Sequence, residues 1–421
     1  MKFSLITPEH SESNLPYLIE LYRSIKAQTY TNWEWVIYAN NGFDPNKIPQ
    51  YIVEDPQVEV YFDDERYENI GHVKNNAFSL GNGDILVEAD HDDLLTPDCL
   101  QELYNAYQDE SVGFVYSDNA VLPMGDIEFN PYGVAYGWSH RMYNHNGREL
   151  YAMNSFEPSS QAVSFIWYAP DHVRSWRKTA YEAVGGYDVN EYVCEDHQLM
   201  IKTYLHTKMK RIPKVLYIYR LTGDNTCLNH RNEAIQIRTV ELFREYAMRL
   251  AMREAELKGL LKVDIGAGIN PLDGFITVDN REEADINADL NNGLPFEDNS
   301  VGVLNASHIL EHLKDPIKSM KEIHRVLANG GWAFIDVPST DGRGAFQDPT
   351  HVSFWNENSF MYYTNANLAK YLGNTGIRFQ KYRVDTHFPN EWMRSINSCV
   401  TSAWLCAVKD GGERLPGLLE I

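Results

Sequence analysis

The sequence predicts an α/β protein of two domains, each built on a sheet covered by helices. Two observations carry this. Short apolar runs alternate with helical stretches from the N-terminus to about residue 230, and the alternation restarts at Leu261. Between the two runs a long helical stripe, without Gly, Ser or Pro tracts, argues against a free linker. The expected divisions are 1–231 for the first domain, 232–259 for a connecting helix and 260–421 for the second domain.

A chain of 421 residues is long enough for two or three separate cores. Its 43% apolar and 23% charged content is that of a soluble globular protein. No apolar run reaches the roughly 18 residues that suggest a membrane span, so none is expected. Met1-Lys-Phe-Ser-Leu-Ile-Thr-Pro reads as a first strand rather than a signal peptide. Five cysteines, Cys99, Cys194, Cys227, Cys399 and Cys406, are scattered without metal-binding or redox spacing, which favours reduced thiols and a cytoplasmic location. A formal net charge of −22 disfavours generic binding to nucleic acid or to anionic membrane.

Lys2 to Thr7 is an apolar strand ending in Pro8-Glu9-His10, with a helical stretch following to about Gln28. Trp33 to Tyr38 is a second strand, closed by the turn signal Asn40-Asn41-Gly42. Val58 to Phe62 is a third, and Lys74 to Leu80 is helical. Gly83-Asp-Ile-Leu-Val then runs as a buried strand into Glu88-Ala-Asp-His-Asp-Asp. Asp90, Asp92 and Asp93 therefore arrive together, and their repulsion must be offset by a cation or by hydrogen-bond donors. A hard divalent ion, manganese or magnesium, with places open for phosphate oxygens answers that need. A solvated turn before a helix starting at Thr96-Pro-Asp is the other reading. Ligands of open α/β sheets sit beyond the carboxyl ends of the strands, so Thr7, Asn40 and Asp90 are expected on one edge.

Taken in order, the Thr7-Pro8 strand end, Trp33-Glu-Trp-Val-Ile-Tyr-Ala-Asn-Asn-Gly, Ile70-Gly-His-Val-Lys-Asn-Asn-Ala, Gly83 to Asp93 and Gly185-Gly-Tyr-Asp with Cys194-Glu-Asp-His resemble the family 2 glycosyltransferases of GT-A fold. The resemblance covers roughly residues 1–230. It implies a Rossmann-like nucleotide-sugar domain and an inverting, metal-dependent transfer. The sugar would pass from a nucleotide donor, usually UDP-linked, to a hydroxyl of a glycan or other acceptor. By the same resemblance Thr7 and Pro8, with Glu9 beside them, line the uracil and ribose pocket. Asn40 stands where the family often has an acid, and its amide oxygen can still accept from uracil N3–H. Lys74 matches a basic residue near the nucleotide, and equally fits a solvated helix lysine. Asp90 faces the nucleotide and, with Asp92 and Asp93, the metal. In the pair Glu195-Asp196, Asp196 matches the base that takes the acceptor proton; a helix cap is the plainer reading. The motif that follows the last strand in many relatives is incomplete in Tyr219-Arg-Leu-Thr-Gly-Asp-Asn-Thr, with His230 a substitute ligand. Residues 118–180 are dense in Trp, Tyr, His and Arg, and Trp176 and Arg177 are acceptor candidates there, with ordinary packing as the alternative.

From Asn232 to Lys258, Ile237, Val240, Phe243, Ala247 and Leu250 form the helical stripe, and Gly259 is its stop. Beyond it, Leu261-Lys-Val-Asp-Ile runs into Gly266-x-Gly268, where backbone can approach a ligand closely. Phe275 to Asp279 is a strand ending in an acid suited to a ribose diol, and Ala288-Asp289-Leu290 follows. Val303 opens a strand expected to lead into a helix through Ser307-His308-Ile-Leu-Glu311-His312. Ile323 to Gly331 is expected as a helix with a glycine stop before strand Trp332 to Val337. This set resembles the class I methyltransferases that use S-adenosylmethionine, which implies a doubly wound sheet. Gly266 and Gly268 would then face the cofactor's amino-acid part, Asp279 its ribose, Asp289 and Leu290 its adenine, with His308 nearby. His308 and His312 also fit a metal pair at i, i+4. His351, in Asp348-Pro-Thr-His, is either a general base at the methyl acceptor or structural. Ile269-Asn270-Pro271 stands where a third glycine is usual and Gly302 where an acid is common, so a degenerate binding or assembly module is the alternative.

Overall fold

The computed structural model describes residues 1–166, 169–222, 232–373 and 375–420. The chain divides into two compact units, Met1–Val134 with Trp138–Tyr246, and Ala135–Gly137 with Ala247–Ile421.

The first unit holds β1 (Phe3–Glu9), β2 (Trp33–Ala39), β3 (Val58–Phe62), β4 (Ile85–Glu88), β5 (Leu94–Leu95), β6 (Val112–Pro123), β7 (Ser139–His145), β8 (Arg148–Asn154), β9 (Arg174–Arg177) and β10 (Lys208–Leu221). They form one sheet in the order β3-β2-β1-β4-β9-β6-β10-β5, with the β7–β8 hairpin paired onto β6. β3, β2, β1 and β4 run parallel, and β9 lies antiparallel between β4 and β6. Chain order reverses at β1, whose neighbours are β2 and β4, so the carboxyl ends of these strands form the crevice where such sheets take ligands. β2 is buried along its whole length, as a run apolar on both faces should be. Its one charge, Glu34, accepts from Ser4 Oγ at 2.5 Å and pairs with Lys2. The helix Leu15–Lys26 has a proline in its first turn and buries Leu18, Leu21 and Ile25 on one stripe. The helix expected from Lys74 starts earlier, at Ile70, because Asn69 caps it by accepting from Gly71 N at 2.7 Å.

The second unit holds β11 (Leu261–Ile265), β12 (Ile276–Asp279), β13 (Ile286–Asn287), β14 (Val301–Ser307), β15 (Leu327–Pro338), β16 (Phe379–His387) and β17 (Val400–Ala407). Their order is β13-β12-β11-β14-β15-β17-β16, parallel from β13 to β15, with β17 antiparallel to both its neighbours. Here the order reverses at β11, which puts the ends of β11, β12 and β14 together. The helix before β15 is Pro316–Val326, capped by Asp315, and buries Met320, Ile323 and Val326. The expected glycine stop at Gly330-Gly331 lies inside β15 instead. Gly330 has φ +75°, and a Cβ on Gly331 would stand 3.0 Å from the Val301 carbonyl, so the glycines serve a close strand approach.

The helix Asn232–Lys258 contains the division between the units. Phe243, Ala247 and Leu250 are buried as expected, but Ile237 and Val240 are 56% and 47% exposed while Ile235 and Leu242 are buried. The buried face is thus rotated from the anticipated stripe in the helix's first half. Cys99, Cys194, Cys399 and Cys406 are buried, with no disulfide among the described residues. Among those residues no helix is long and apolar enough to cross a membrane.

Candidate functional site

The crevice of the first unit begins at β1. Thr7 is fully buried: its hydroxyl donates to the Ala89 carbonyl at 2.6 Å and accepts from Trp35 Nε1 at 2.9 Å. The hydroxyl is consumed in tying β1 to the chain beyond β4. Pro8 is half-buried at the edge, and its carbonyl lies 3.3 Å from His91 Nδ1. Glu9 is buried, and its Oε1 accepts from His10 N, Ser11 N and Asn14 Nδ2 at 2.8, 2.9 and 3.0 Å, while Oε2 has no hydrogen-bond partner. Asn40 donates through Nδ2 to the Glu9 and Tyr38 carbonyls, both at 3.0 Å. That leaves its buried Oδ1 without a hydrogen-bond partner among the described residues. Glu9, His10 and His91 each bring one ligand atom within 4.8 Å of the others. Burial, then His91, lowers the pKa of His10, which keeps a lone pair on its ring.

Of the three clustered acids, two stay on the edge. Asp90 is half-buried, its backbone N–H donates to the Tyr217 hydroxyl at 3.3 Å, and its Oδ2 is 3.8 Å from His172 Nε2. Asp92 is half-buried too. Asp93 turns inward, 1% exposed, and accepts from Arg220 N at 2.7 Å. Burial, then Asp92 and Asp90, pushes its carboxyl well above the ordinary range. Asp93 therefore belongs to the fold, and its expected role as a third metal ligand is corrected.

Behind the acids lies a buried charge network. Glu88, at the end of β4, is 1% exposed and takes Lys74 Nζ at 2.5 Å and the Tyr187 hydroxyl at 2.9 Å, with Arg174 Nη1 at 3.6 Å. Arg174 donates to Asp196 Oδ2 at 3.0 Å and to the Pro170 carbonyl at 2.9 Å. Burial works against charge on Lys74, but Glu88, Asp90, Glu195 and Asp196 outweigh it and raise its pKa. For Asp196 burial is likewise overcome, by Arg174 and Lys74, which hold it ionised. Glu195 goes the other way: burial, then Asp196, pushes it up to about 7. Burial, then Arg174, lowers His172 to about 4, and its neutral ring stacks on Tyr217 at 4.9 Å. Cys194 takes φ +61° to start the helix Glu195–His206, which places both carboxylates in the first turn, where the helix dipole favours negative charge.

In the second unit Gly266 has φ +68°, and a Cβ there would lie 2.5 Å from Ile309 Cγ1. Gly268 N donates to Asp279 Oδ2 at 3.0 Å, so the glycine turn and the acid at the end of β12 are held together. The turn is closed to a side chain at Gly266, so backbone there can approach a ligand closely, as the amino-acid end of an adenosyl cofactor would require. Asp289 is exposed and caps a short turn, accepting from Asn291 N and Nδ2, both at 2.9 Å; Leu290 packs half-buried against the core. β14 leads not into an α-helix but into the 3-10 turn Leu310–His312. His308 sits before that turn at φ +53°, its Nδ1 3.5 Å from Glu311 Oε1.

Residues 4–161 match the family model of glycosyl transferase family 2, and residues 266–335 match that of a methyltransferase domain. The glycosyl transferase family 2 match falls in the first unit and the methyltransferase match in the second. An uncharacterised Sinorhizobium fredii protein, y4gI, is 26% identical over 227 residues, which span 51% of this chain and 22% of the relative. S. aureus TarS residues 1–349, solved in complex with UDP-GlcNAc, superposes with a TM-score of 0.44 at 15% identity, covering 61% of this chain and 74% of that one. The mannosyltransferase PcManGT of Pyrobaculum calidifontis, solved with GDP-Man and Mn2+, gives 0.42 at 16% identity, covering 59% and 64%.

Within the glycosyltransferase domain two acceptor candidates are corrected. Trp176 is fully buried among Phe78, Phe114, Tyr181 and Tyr187, with its Nε1 donating to Thr203 Oγ1 at 3.2 Å. Arg177 donates to the Val112 and Tyr107 carbonyls at 2.7 and 2.6 Å. Trp176 thus packs inside the core, while half-buried Arg177 is tied to backbone carbonyls. Lys74 is no solvated lysine either. Sequence reasoning missed Glu88, His172, Arg174 and Tyr187. A signal was present: Glu88 ends an apolar strand, and Arg174 alternates with Trp176 in one that is buried, and charges in such places need partners. His230 lies outside the described residues. In the methyltransferase domain His351 is nearly buried, and its Nδ1 lies 2.8 Å from the Ala345 carbonyl.

Proposed function

We propose that the glycosyltransferase domain moves a sugar with inversion from a nucleotide donor, UDP-linked, to an acceptor hydroxyl, and that the methyltransferase domain methylates a glycan or related acceptor with S-adenosylmethionine. One observation carries the first half: carboxylates distant in sequence meet one buried network, in which Glu88 takes Lys74 Nζ at 2.5 Å, Arg174 bridges Glu88 and Asp196 at 3.6 and 3.0 Å, and His172 lies 3.8 Å from Asp90. Edge carboxylates and a poised base thus share one electrostatic centre. A divalent ion held by Asp90 and Asp92 would neutralise charge growing on the departing diphosphate. The orphan Asn40 Oδ1 suits uracil N3–H, which favours uridine. Asp196, fixed by Arg174, takes the proton of the acceptor hydroxyl as that oxygen bonds to the anomeric carbon from the face opposite the leaving group. Lys74 and Arg174 hold the carboxylates in place and keep Asp196 ionised. For the second half, Gly266, Gly268 and Asp279 hold the cofactor, which when bound supplies the methyl group. Scattered buried thiols suit a reducing cytoplasm.

Thermal-shift titration of the full chain with UDP, GDP and manganese or magnesium tests this reading. A larger shift with UDP and metal is expected, lost in Asp90→Asn and Asp92→Asn. No shift with any nucleotide and metal would sink the sugar-transfer reading.

A further inference from the structure

The second unit brings together three side chains from two separate stretches. Glu311 and His312 lie in the turn after β14, and His351 in the segment after β15. Each offers one ligand atom, and these lie within 4.8 Å of one another. We propose that Glu311, His312 and His351 form a binding site for one divalent transition-metal ion of the zinc class, with a coordination position left for an outside oxygen ligand.

The ring protons point the right way. His351 Nδ1 lies 2.8 Å from the Ala345 carbonyl, and a carbonyl can only accept, so Nδ1 carries the hydrogen and Nε2 the lone pair. His312 Nδ1 lies 3.3 Å from the Thr350 carbonyl and 3.2 Å from its hydroxyl, which fixes the same tautomer. Histidines that ligate metals are oriented in this manner, with the far nitrogen donating to backbone. The two rings meet edge-on at 5.0 Å.

The carboxylate supplies an independent observation. Glu311 is 2% exposed, and its Oε2 is buried with no hydrogen-bond partner among the described residues. A buried carboxylate oxygen left so is costly unless a cation or donor meets it. The Glu311 carbonyl accepts from Val352 N at 2.8 Å and Ser353 N at 3.0 Å, which staples the segment carrying His351 onto the turn carrying the other two ligands. Asp348 Oδ2 stands 3.9 Å from His351 Nε2 and adds negative charge, while its Oδ1 accepts from Thr350 N and Oγ1 at 2.8 and 2.6 Å.

Ligands around a four-coordinate zinc at 2.0–2.1 Å stand about 3.3 Å apart, a contraction within reach of small rotamer shifts. Two imidazoles and one carboxylate select zinc, cobalt, nickel or iron over magnesium and calcium, which take all-oxygen sets. Three protein ligands leave a fourth place open. The pair His308 and His312 anticipated from sequence is not the ligand set. No α-helix spans residues 308–312 to bring them onto one face, and His308 lies against Glu311 Oε1.

The test uses the full chain carrying His10→Asn and His91→Asn, so that the first unit's cluster does not compete. The protein is stripped with a chelator and titrated with cobalt(II) in the absence of nucleotide. One equivalent is expected, with visible d–d bands, and affinity falling at least tenfold in each of Glu311→Gln, His312→Asn and His351→Asn but not in His308→Asn. X-ray absorption of the zinc-loaded chain, which needs none of these three substitutions, should show two imidazoles and oxygen around the ion. Failure to take up a stoichiometric ion, equal binding by the three variants, or an all-oxygen shell would overturn the proposal.

Discussion

Glu195 is the residue whose titration reaches furthest. Its folded pKa, pushed up to about 7 by burial and by Asp196, stands above the ordinary carboxylate value of 4.5. The folded chain therefore holds this proton more tightly than the unfolded chain, and Glu195 erodes stability as pH rises from about 4.5 through 7. Glu195→Gln should match the parent in urea unfolding at pH 5 and exceed it at pH 8; a gap that does not change with pH would refute the assignment. The same variant separates base from neighbour. If Asp196 is the base, Asp196→Asn loses about 10²–10⁴-fold in turnover, while Glu195→Gln retains most of it. Asp93 gives the complementary case. Its carboxyl faces inward and accepts from Arg220 N, so Asp93→Asn should leave metal-dependent nucleotide binding intact in calorimetry, whereas Asp92→Asn should abolish it. The acidic run was legible in sequence as a cluster. That its third member faces Arg220 was not, because the alternation of inward and outward side chains beyond a strand depends on the turn that follows.

At the scale of elements, the parallel strands β1 to β4 and β11, β12, β14 and β15 were readable because each holds a short apolar run closed by a turn signal. The start of Ile70–Ser79 was missed because its cap, Asn69, precedes the polar face that marks the helix. β9 was missed for a different reason: Arg174 and Arg177 disguise a strand whose charges are satisfied by Glu88, Asp196 and backbone carbonyls far away in sequence. Trp176 looked like a sugar platform for want of that strand, though it is a core side chain. Glycine roles divide in the same way. Gly266 was legible, and the structure adds why: φ +68° and Ile309 only 2.5 Å from any Cβ. Gly266→Ala is expected to cost roughly 1–3 kcal/mol in denaturant unfolding and to abolish S-adenosylmethionine binding by calorimetry. An alanine variant that binds cofactor normally would remove this glycine from the site.

Over the whole molecule, two runs of helix–strand alternation gave the two sheets, and each sheet has its own core, around Trp35 and Ile85 in one and Val263 and Ile335 in the other. Separate cores are expected to melt as separate transitions in calorimetry. UDP with manganese should raise one transition and S-adenosylhomocysteine the other; a ligand that moves both equally would show the halves to be energetically one body. Buried ionic networks such as Lys74–Glu88–Arg174–Asp196 escaped the sequence because they are assembled from four distant segments, and no local pattern records which charge will meet which. Cys99 and Cys194 lie buried in the first unit, Cys399 and Cys406 in the second. Burial, reinforced by Asp196, pushes the Cys194 thiol up to about 12, and burial raises those of Cys99 and Cys399 as well. An alkylating reagent, which attacks only thiolate, must wait for the surrounding backbone to part. Timed labelling read by mass spectrometry would therefore clock the breathing of each half independently, from sulfur atoms the chain already carries.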